Sequence, residues 1–366
     1  MHFRVEKEDF LKAVSTTLGA VSQKASLPIL NNMLIQTAGL DELIVSATDL
    51  ELGIQTRCSV KVEEEGTVTI PAKKFFEIIR ELGPGEIEVM VAKNNAVNIK
   101  TARSFFKVTG LESEDFPKFP EPTSEQSLEI EQKILKQCLA LTAFAVSRDE
   151  ARYALNGVLF IVKNDTGRFI ATDGKRLAFI ERKLNMPNEV ELEVIIPAKT
   201  IGELMKALSS GEGNVRIVRV QNQIIFQLNH TTLTSRLIEG RFPSYEQVIP
   251  KTQKTRTQIN REDLLAAIRR AALLTSQENQ SVKLDFIKDR LLISSRSPNL
   301  GEAKEELEVN ITGDDLTIGF NPNYLIDVLK NLDVNEISIS LSDPDKPGLI
   351  ESKDNYQYVL MPMQLA

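Results

Sequence analysis

Three stretches of the chain carry one pattern of apolar and polar positions. In IPAKKFFEIIREL (70–82) the apolar residues Phe75, Ile78, Ile79 and Leu82 recur in steps of three and four. In IPAKTIGELMKAL (196–208) Ile201, Leu204, Met205 and Leu208 do the same, and in FNPNYLIDVLKNL (320–332) so do Leu325, Val328, Leu329 and Leu332. This spacing puts the residues of each set in one stripe of an α-helix facing a core. Pro71 and Pro197 are expected in the first turn of their helices, where a missing N–H costs nothing; the third copy carries its proline one place later, at Pro322.

The repetition extends upstream. Helical periodicity is expected near 7–24, 131–148 and 261–277, where Phe10, Leu11 and Val14 match Ile134, Leu135 and Cys138, then Leu264, Leu265 and Ile268. Between the two helices of each copy the period changes to two, in NMLIQTA, GVLFIVK and VKLDFIK, which predicts strands. SATDLELGI (46–54) aligns with IATDGKRLA (170–178), and the copies close on the strand-and-turn segments FFKVTGLESEDFP, LTSRLIEGRFP and YQYVLMP. The chain therefore reads as three tandem copies of one α+β domain, two helices packed on antiparallel sheets. Residues 1–122, 123–252 and 253–366 are the expected domains, with borders in the polar stretches PEPTSEQS and PKTQKTRTQ. Each copy is long enough for its own core, unlike the short units of a solenoid.

Composition narrows the chemistry. Only two cysteines and two histidines occur among 366 residues, with no metal-ligand spacing, which argues against a disulfide framework, a histidine metal site or Ser-His catalysis and fits a reducing cytosol. Charges interrupt the opening MHFRVEKEDF, so no export signal is read, and no apolar run approaches a membrane span. There is no Walker-type phosphate loop and no dinucleotide fingerprint. Asp49 and Asp173 align between copies; they suit either a metal pair for phosphoryl transfer or the local hydrogen bonds of a turn.

The net charge of −7 argues at first against nucleic acid, and none of the three copies is strongly basic. Distribution changes that picture. At about 100° per residue, Lys73 and Arg80 lie opposite the apolar stripe of their helix. Lys199 and Lys206 hold the same two positions in the second copy; Lys330 holds one in the third, with Asn323 at the other. The first helices add Lys12, Lys24, Lys133, Lys136, Arg148, Arg269 and Arg270. Glu77, Glu203 and Asp327 share these faces, so ordinary solvated helices with acid–base pairs also account for the charges. Repetition in register supplies the second reading: faces set around a common axis would sum their weak positive charge in a shared space.

LPILNNMLI (27–35), ATDLE (47–51), IPAKKFFEIIR (70–80), RYALNGVLF (152–160), ATDGKRLA (171–178), RFPSYEQVIP (241–250) and YVLMPMQL (358–365) together resemble the bacterial DNA polymerase III β subunits, the sliding clamps, over the full chain. The resemblance implies a head-to-tail homodimeric ring of six domains, with helices lining a central hole and sheets outside. It implies a processivity factor that encircles double-stranded DNA without sequence preference and has no catalysis or cofactor. The implied partners are the replicative polymerase, an ATP-dependent clamp loader, and other polymerases and repair proteins that dock short hydrophobic peptides. The implied location is the cytoplasm, and no membrane is involved. The alternative is a three-domain protein-binding scaffold that does not encircle DNA.

Residue by residue, the resemblance adds Lys24, Arg148, Arg152, Tyr153 and Tyr324 to the DNA face beside Lys73, Arg80, Lys199, Lys206 and Lys330. It assigns a partner-peptide pocket to Leu155, Thr172, Gly174, Lys175, Arg176, Leu177, Pro243, Val248, Val359, Met361, Pro362 and Met363, an adaptable methionine and aliphatic surface. Ala154 stands where the family often has a second tyrosine, Lys175 where it commonly has histidine, and Ala366 is an extra terminal residue. For the seam between chains, the resemblance gives Phe106 and Val108 against Leu273 and Leu274. The charges nearby are complementary: Lys100, Arg103 and Lys107 on one side, and Glu302, Glu305, Glu306 and Glu308 on the other. Strand alternation predicts Arg103 and Phe105 on one face and Phe106 and Val108 on the other. Edge charges that discourage aggregation would look similar.

Overall fold

The computed structural model describes residues 1–22, 27–122, 127–184, 191–208, 212–275, 280–353 and 355–365. Among them are six α-helices, two per repeat: α1 (Lys7–Thr17), α2 (Ala72–Glu81), α3 (Gln132–Thr142), α4 (Ala198–Ala207), α5 (Arg261–Ala272) and α6 (Pro322–Asn331). The predicted stripes face inward. Phe75, Ile79 and Leu82, then Ile201, Leu204 and Leu208, then Leu325, Val328, Leu329 and Leu332 are buried, while Ile78 and Met205 are half-buried at the stripe edges. Phe10 of α1 meets Phe75 of α2 edge-on, with ring centroids 5.5 Å apart, and Phe3 packs on Phe10 at 5.8 Å.

The first helix of each repeat is shorter than its periodicity. In α1 the hydroxyls of Thr16 and Thr17 donate to the carbonyls of Lys12 and Val14, and the chain tightens into the 3₁₀ turn Leu18–Ala20. In α3, Thr142 donates to the Cys138 carbonyl at 2.8 Å before the 3₁₀ turn Ala143–Ala145. Threonine hydroxyls satisfy carbonyls that the next helical turn would have used. The prolines also differ from expectation. Pro71 and Pro197 are the last residues of the strands Thr67–Pro71 and Leu192–Pro197, immediately before α2 and α4. Both strands are sheet edges, where proline forfeits no ladder bond. Pro322 does open its helix, which Asn321 caps by accepting the Asn323 N–H at 2.9 Å.

The described chain forms two compact units, Met1–Lys133 with Gly202–Leu237, and Ile134–Ile201 with Ile238–Ala366. The middle repeat contributes to both because its strands pair with those of its neighbours. In the first unit, the strand Thr231–Arg236 pairs antiparallel with Leu52–Ser59 inside an eight-stranded sheet. In the second, Arg176–Lys183 pairs antiparallel with Tyr356–Leu360 inside a nine-stranded sheet. Sequence repeats and compact units are thus different partitions of one chain.

Each unit holds a second, smaller sheet. In the first unit five strands run in the order Lys61–Glu64, His2–Glu6, Glu86–Val91, Ala96–Lys100, Phe105–Thr109. In the second unit the order of four is Gly301–Glu308, Arg290–Ser297, Val282–Ile287, Leu316–Phe320. Phe105–Thr109 and Gly301–Glu308 are therefore edge strands. Neither cysteine forms a disulfide, and burial pushes both thiols up to about 12, more acidic neighbours (Asp9, Glu42) adding to the effect at Cys58. No described helix is long and apolar enough to cross a membrane.

Candidate functional site

In the second unit, a tight turn joins the strands Thr166–Thr172 and Arg176–Lys183. The Asp173 carboxylate accepts the N–H groups of Lys175 and Arg176 at 2.9 and 3.1 Å. Thr172 Oγ1 accepts from Gly174 N at 3.1 Å and donates to the Arg176 carbonyl at 2.6 Å. Gly174 sits at φ 84°, a left-handed conformation that glycine adopts without penalty. The first repeat makes the same turn: Asp49 accepts from Glu51 and Leu52 at 3.0 and 2.8 Å, and Leu50 takes φ 76°. The aligned aspartates thus serve turns. No group of three or more His, Cys, Asp or Glu able to hold a metal ion occurs among the described residues.

This turn edges an apolar surface. Leu177 and Val359 face each other across paired strands and are buried in a cluster with Leu159, Ile170, Ile195, Ile238, Tyr245 and Leu349. They form a floor, and the exposed material lies around it: Val248, Met361, Met363 and Leu365 each leave roughly two-fifths of their surface open (45%, 43%, 37% and 41%). Leu155 and Pro362 are half-buried, and Pro243 and Lys175 are exposed. The C-terminal tail is held at two points. Met361 N–H donates to the Lys175 carbonyl at 2.9 Å, and Met363 N–H donates to the Gly319 carbonyl at 2.8 Å. Buried floor and methionine-bearing rim make a surface suited to an apolar anchor.

Arg176, read from sequence as a pocket residue, is held from several sides. Only 9% of its side chain is exposed. Its guanidinium donates to Asp173 Oδ2 (3.0 Å), Asp327 Oδ2 (2.7 Å) and the Phe144 carbonyl (2.7 Å), and lies 4.4 Å over the Tyr324 ring. Burial opposes its charge, but Tyr358, Asp327 and Asp173 more than offset that and hold its pKa above the ordinary value. Tyr324 is consequently half-buried beneath Arg176, with its carbonyl taken by the Tyr358 hydroxyl at 3.0 Å. Tyr153, by contrast, is 56% exposed.

On the helices, Lys73, Arg80, Lys199, Lys206 and Lys330 are all exposed. Their acidic neighbours are engaged locally. Lys74 pairs with Glu77 and draws that carboxyl below its usual range; Lys206 pairs with Glu203 at 2.8 Å, and Arg80 with Glu81 at 3.0 Å. Lys73 and Lys330 make no ion pair among the described residues. Arg148 is exposed, whereas Arg152 donates to the Asp173 carbonyl at 3.1 Å; Lys24 lies outside the described residues. A cleft of ≈ 310 Å³ lies elsewhere, in the first unit, between the end of α1 and Glu203, Lys206 and Ala207 of α4.

The two edge strands carry the expected charges, with changes. Arg103 precedes the strand Phe105–Thr109, so it does not alternate with Phe105; Phe105 and Phe106 are both exposed, and Val108 is half-buried. Lys107 is exposed and Lys100 sits 3.5 Å from Glu88. On Gly301–Glu308, Glu302, Glu306 and Glu308 are exposed, whereas Glu305 points to the other face and takes two hydrogen bonds from Arg270, at 3.0 and 2.6 Å. Leu273, just past α5, is 76% exposed and Leu274 is half-buried.

The domains described as DNA polymerase III beta subunit, N-terminal, central and C-terminal, match residues 1–120, 129–244 and 246–364 in that order. The chain belongs to this family, the β sliding clamps. It is 34% identical to the beta sliding clamp of Chlamydia pneumoniae, across 100% of this chain and 99% of the relative. To that of Vibrio cholerae it is 32% identical, with both chains fully covered. Among solved structures, the Bacillus subtilis DNA polymerase sliding clamp superposes with a TM-score of 0.96 at 29% identity, covering both chains fully. The Pseudomonas aeruginosa DnaN sliding clamp bound to griselimycin gives 0.95 at 34% identity, again over both full chains. This chain is thus three tandem clamp domains, and a DNA sliding clamp is a processivity factor of replication.

Sequence reasoning about this clamp missed the partners of Arg176, and it missed Gly319. A Cβ at Gly319 would lie 2.7 Å from the Leu365 side chain and 2.8 Å from the Met363 carbonyl oxygen. A signal for the first was present: the second repeat has Arg176 where the first has Leu52. Gly319→Val is expected to push the tail off its strand, raising C-terminal hydrogen exchange at least tenfold while the melting temperature moves by only a few degrees. Unchanged tail exchange would remove Gly319 from the tail's support.

Proposed function

We propose that two copies of this clamp close head to tail into a ring around duplex DNA, with repeat three of each chain on repeat one of the other. The observation that carries this reading is the pair of open sheet edges, cationic and phenylalanine-bearing at Phe105–Thr109 and acidic at Gly301–Glu308 with the exposed Leu273 close in sequence to α5. Unpaired edges of this length invite a partner strand, and opposite charges set which edge meets which. A contact between unlike surfaces closes only if its rotation completes a ring, here after two chains.

In that ring Lys73, Arg80, Lys199, Lys206 and Lys330, with Lys24, Arg148, Arg152, Tyr153 and Tyr324 near the rim, face the DNA. Phosphate contacts give affinity without sequence information, which suits sliding. The pocket from Leu155 to Met363 holds short hydrophobic peptides of the replicative polymerase, of an ATP-dependent clamp loader, and of other polymerases and repair proteins. The clamp works in the cytoplasm as a tether and catalyses nothing.

Topology separates this reading from a scaffold. With a net charge of −7 and acids on each helix face, direct duplex affinity should be weak, so retention must come from encirclement. Clamp loaded onto nicked circles by a clamp loader should survive a salt wash that strips electrostatic binders. Cutting the circle once should then release it within minutes. Equal loss from circular and linear DNA would refute encirclement.

A further inference from the structure

The clamp contains two repeat junctions built from equivalent positions, and they differ at the position of Arg176, where the first has leucine. Alignment of 46–54 with 170–178 sets Leu52 opposite Arg176 and Gly53 opposite Leu177; alignment of α4 with α6 sets Glu203 opposite Asp327. In the first unit, Leu52 is buried and Glu203 turns to Lys206 and presses on Gly19, whose Cβ would lie 2.2 Å from its carboxyl. Gly53 stands where the second unit has Leu177, and the Phe119 ring lies over it, 2.4 Å from where a Cβ would be. In the second unit, the acid at the equivalent helix position holds a nearly buried guanidinium, and the apolar floor and tail are present.

We propose that Asp327 is a positioning residue of the partner pocket: its carboxylate, through Arg176, fixes the Thr172–Leu177 turn and the tail that hangs from it. The connection is continuous. Asp327 holds Arg176 at 2.7 Å, Arg176 holds Asp173 at 3.0 Å, and Asp173 holds the N–H groups of Lys175 and Arg176. The Lys175 carbonyl then anchors Met361 N–H at 2.9 Å. Asp327 stands on the polar face of α6 beside Lys330, where its charge opposes DNA binding; the structure gives it a different task. Without Asp327 one side of a nearly buried arginine loses its partner, and the turn relaxes toward whatever satisfies it. A pocket that must be reordered on binding binds more weakly.

This inference rests on the assignment of the apolar surface as the partner pocket, and the experiment separates the two. Griselimycin, bound to the Pseudomonas aeruginosa clamp in its solved structure, is the probe, titrated calorimetrically into the full-length dimer. Asp327→Ala should weaken its binding about tenfold, Asp327→Asn about threefold, and Asp327→Glu should recover most of the affinity. Glu203→Ala removes the same charge from the equivalent helix position and should change nothing. Dimer mass, and the lifetime on nicked circles of the clamp once loaded with excess loader, should be unaffected in all four, which a general loss of structure would not leave intact. If Asp327→Ala unfolds the chain, the asparagine and glutamate variants carry the test. Asp327→Ala within twofold of wild type, or Glu203→Ala weakening the probe equally, overturns the positioning role. If a chain ending at Met361 binds griselimycin as wild type does, or wild type does not bind it, the pocket assignment itself fails and the inference falls with it.

Discussion

Leu273→Ala combined with Leu274→Ala is expected to leave this clamp monomeric at nanomolar concentration. Leu273 is 76% exposed, directly after α5, on a chain whose helices bury their leucines; such a residue calls for a covering surface. The proposed cover is Phe106 and Val108 of the second chain, the first of which is itself exposed. Truncating a buried leucine typically costs about 2–5 kcal/mol. Two per seam amount to at least about 4 kcal/mol, roughly a thousandfold in dissociation constant, and a closed ring has two seams. Leu40, 70% exposed in the turn between Asn32–Thr37 and Glu42–Thr48, is a matched control whose truncation should not change the mass. Sedimentation at nanomolar protein decides the matter. A double variant that stays dimeric there would move the seam elsewhere.

A chain ending at Met361 should keep its fold and its dimer but lose polymerase stimulation by about a hundredfold. The segment removed is surface: Met363 and Leu365 are more than a third exposed, whereas Tyr356, Tyr358, Val359 and Leu360, which stay, are buried. Tyr356 and Tyr358 remain tied through hydroxyl bonds to the Leu141 and Tyr324 carbonyls, at 3.1 and 3.0 Å. What goes is apolar contact for a docked peptide. Losing two large side chains, each worth about 1.5–3 kcal/mol when buried, weakens such a peptide by roughly a hundredfold or more. Primer extension with saturating loader, read beside light scattering and thermal melting, separates the outcomes. A melting temperature that collapses would show the tail to be core, and undiminished stimulation would exclude it from the partner site.

Local and periodic features are legible in the residue order. The helices α2, α4 and α6 fall on the three predicted stripes, because a buried face imposes its spacing on the sequence whatever packs against it. The lengths of α1 and α3 were overestimated because the threonine hydroxyls that close them do not disturb the apolar period. Pro71 and Pro197 were placed one step too far into their helices, since a proline at the end of an edge strand and one in a first helical turn look alike in sequence. Glu305 was grouped with Glu302 and Glu306, but strand alternation sends it to the opposite face and to Arg270.

The triplication, the α+β class, the helix faces and their charges are encoded locally, since each follows from residue spacing within one copy or between copies. The compact units, the buried floor formed by Leu177 opposite Val359, and the use of Arg176 as a link between the Asp173 turn and Asp327 of α6 were decided only by tertiary structure. The physical reason is range: strand pairing and the desolvation of a guanidinium bring together residues far apart in the chain, and no local period records which partner a buried charge will find.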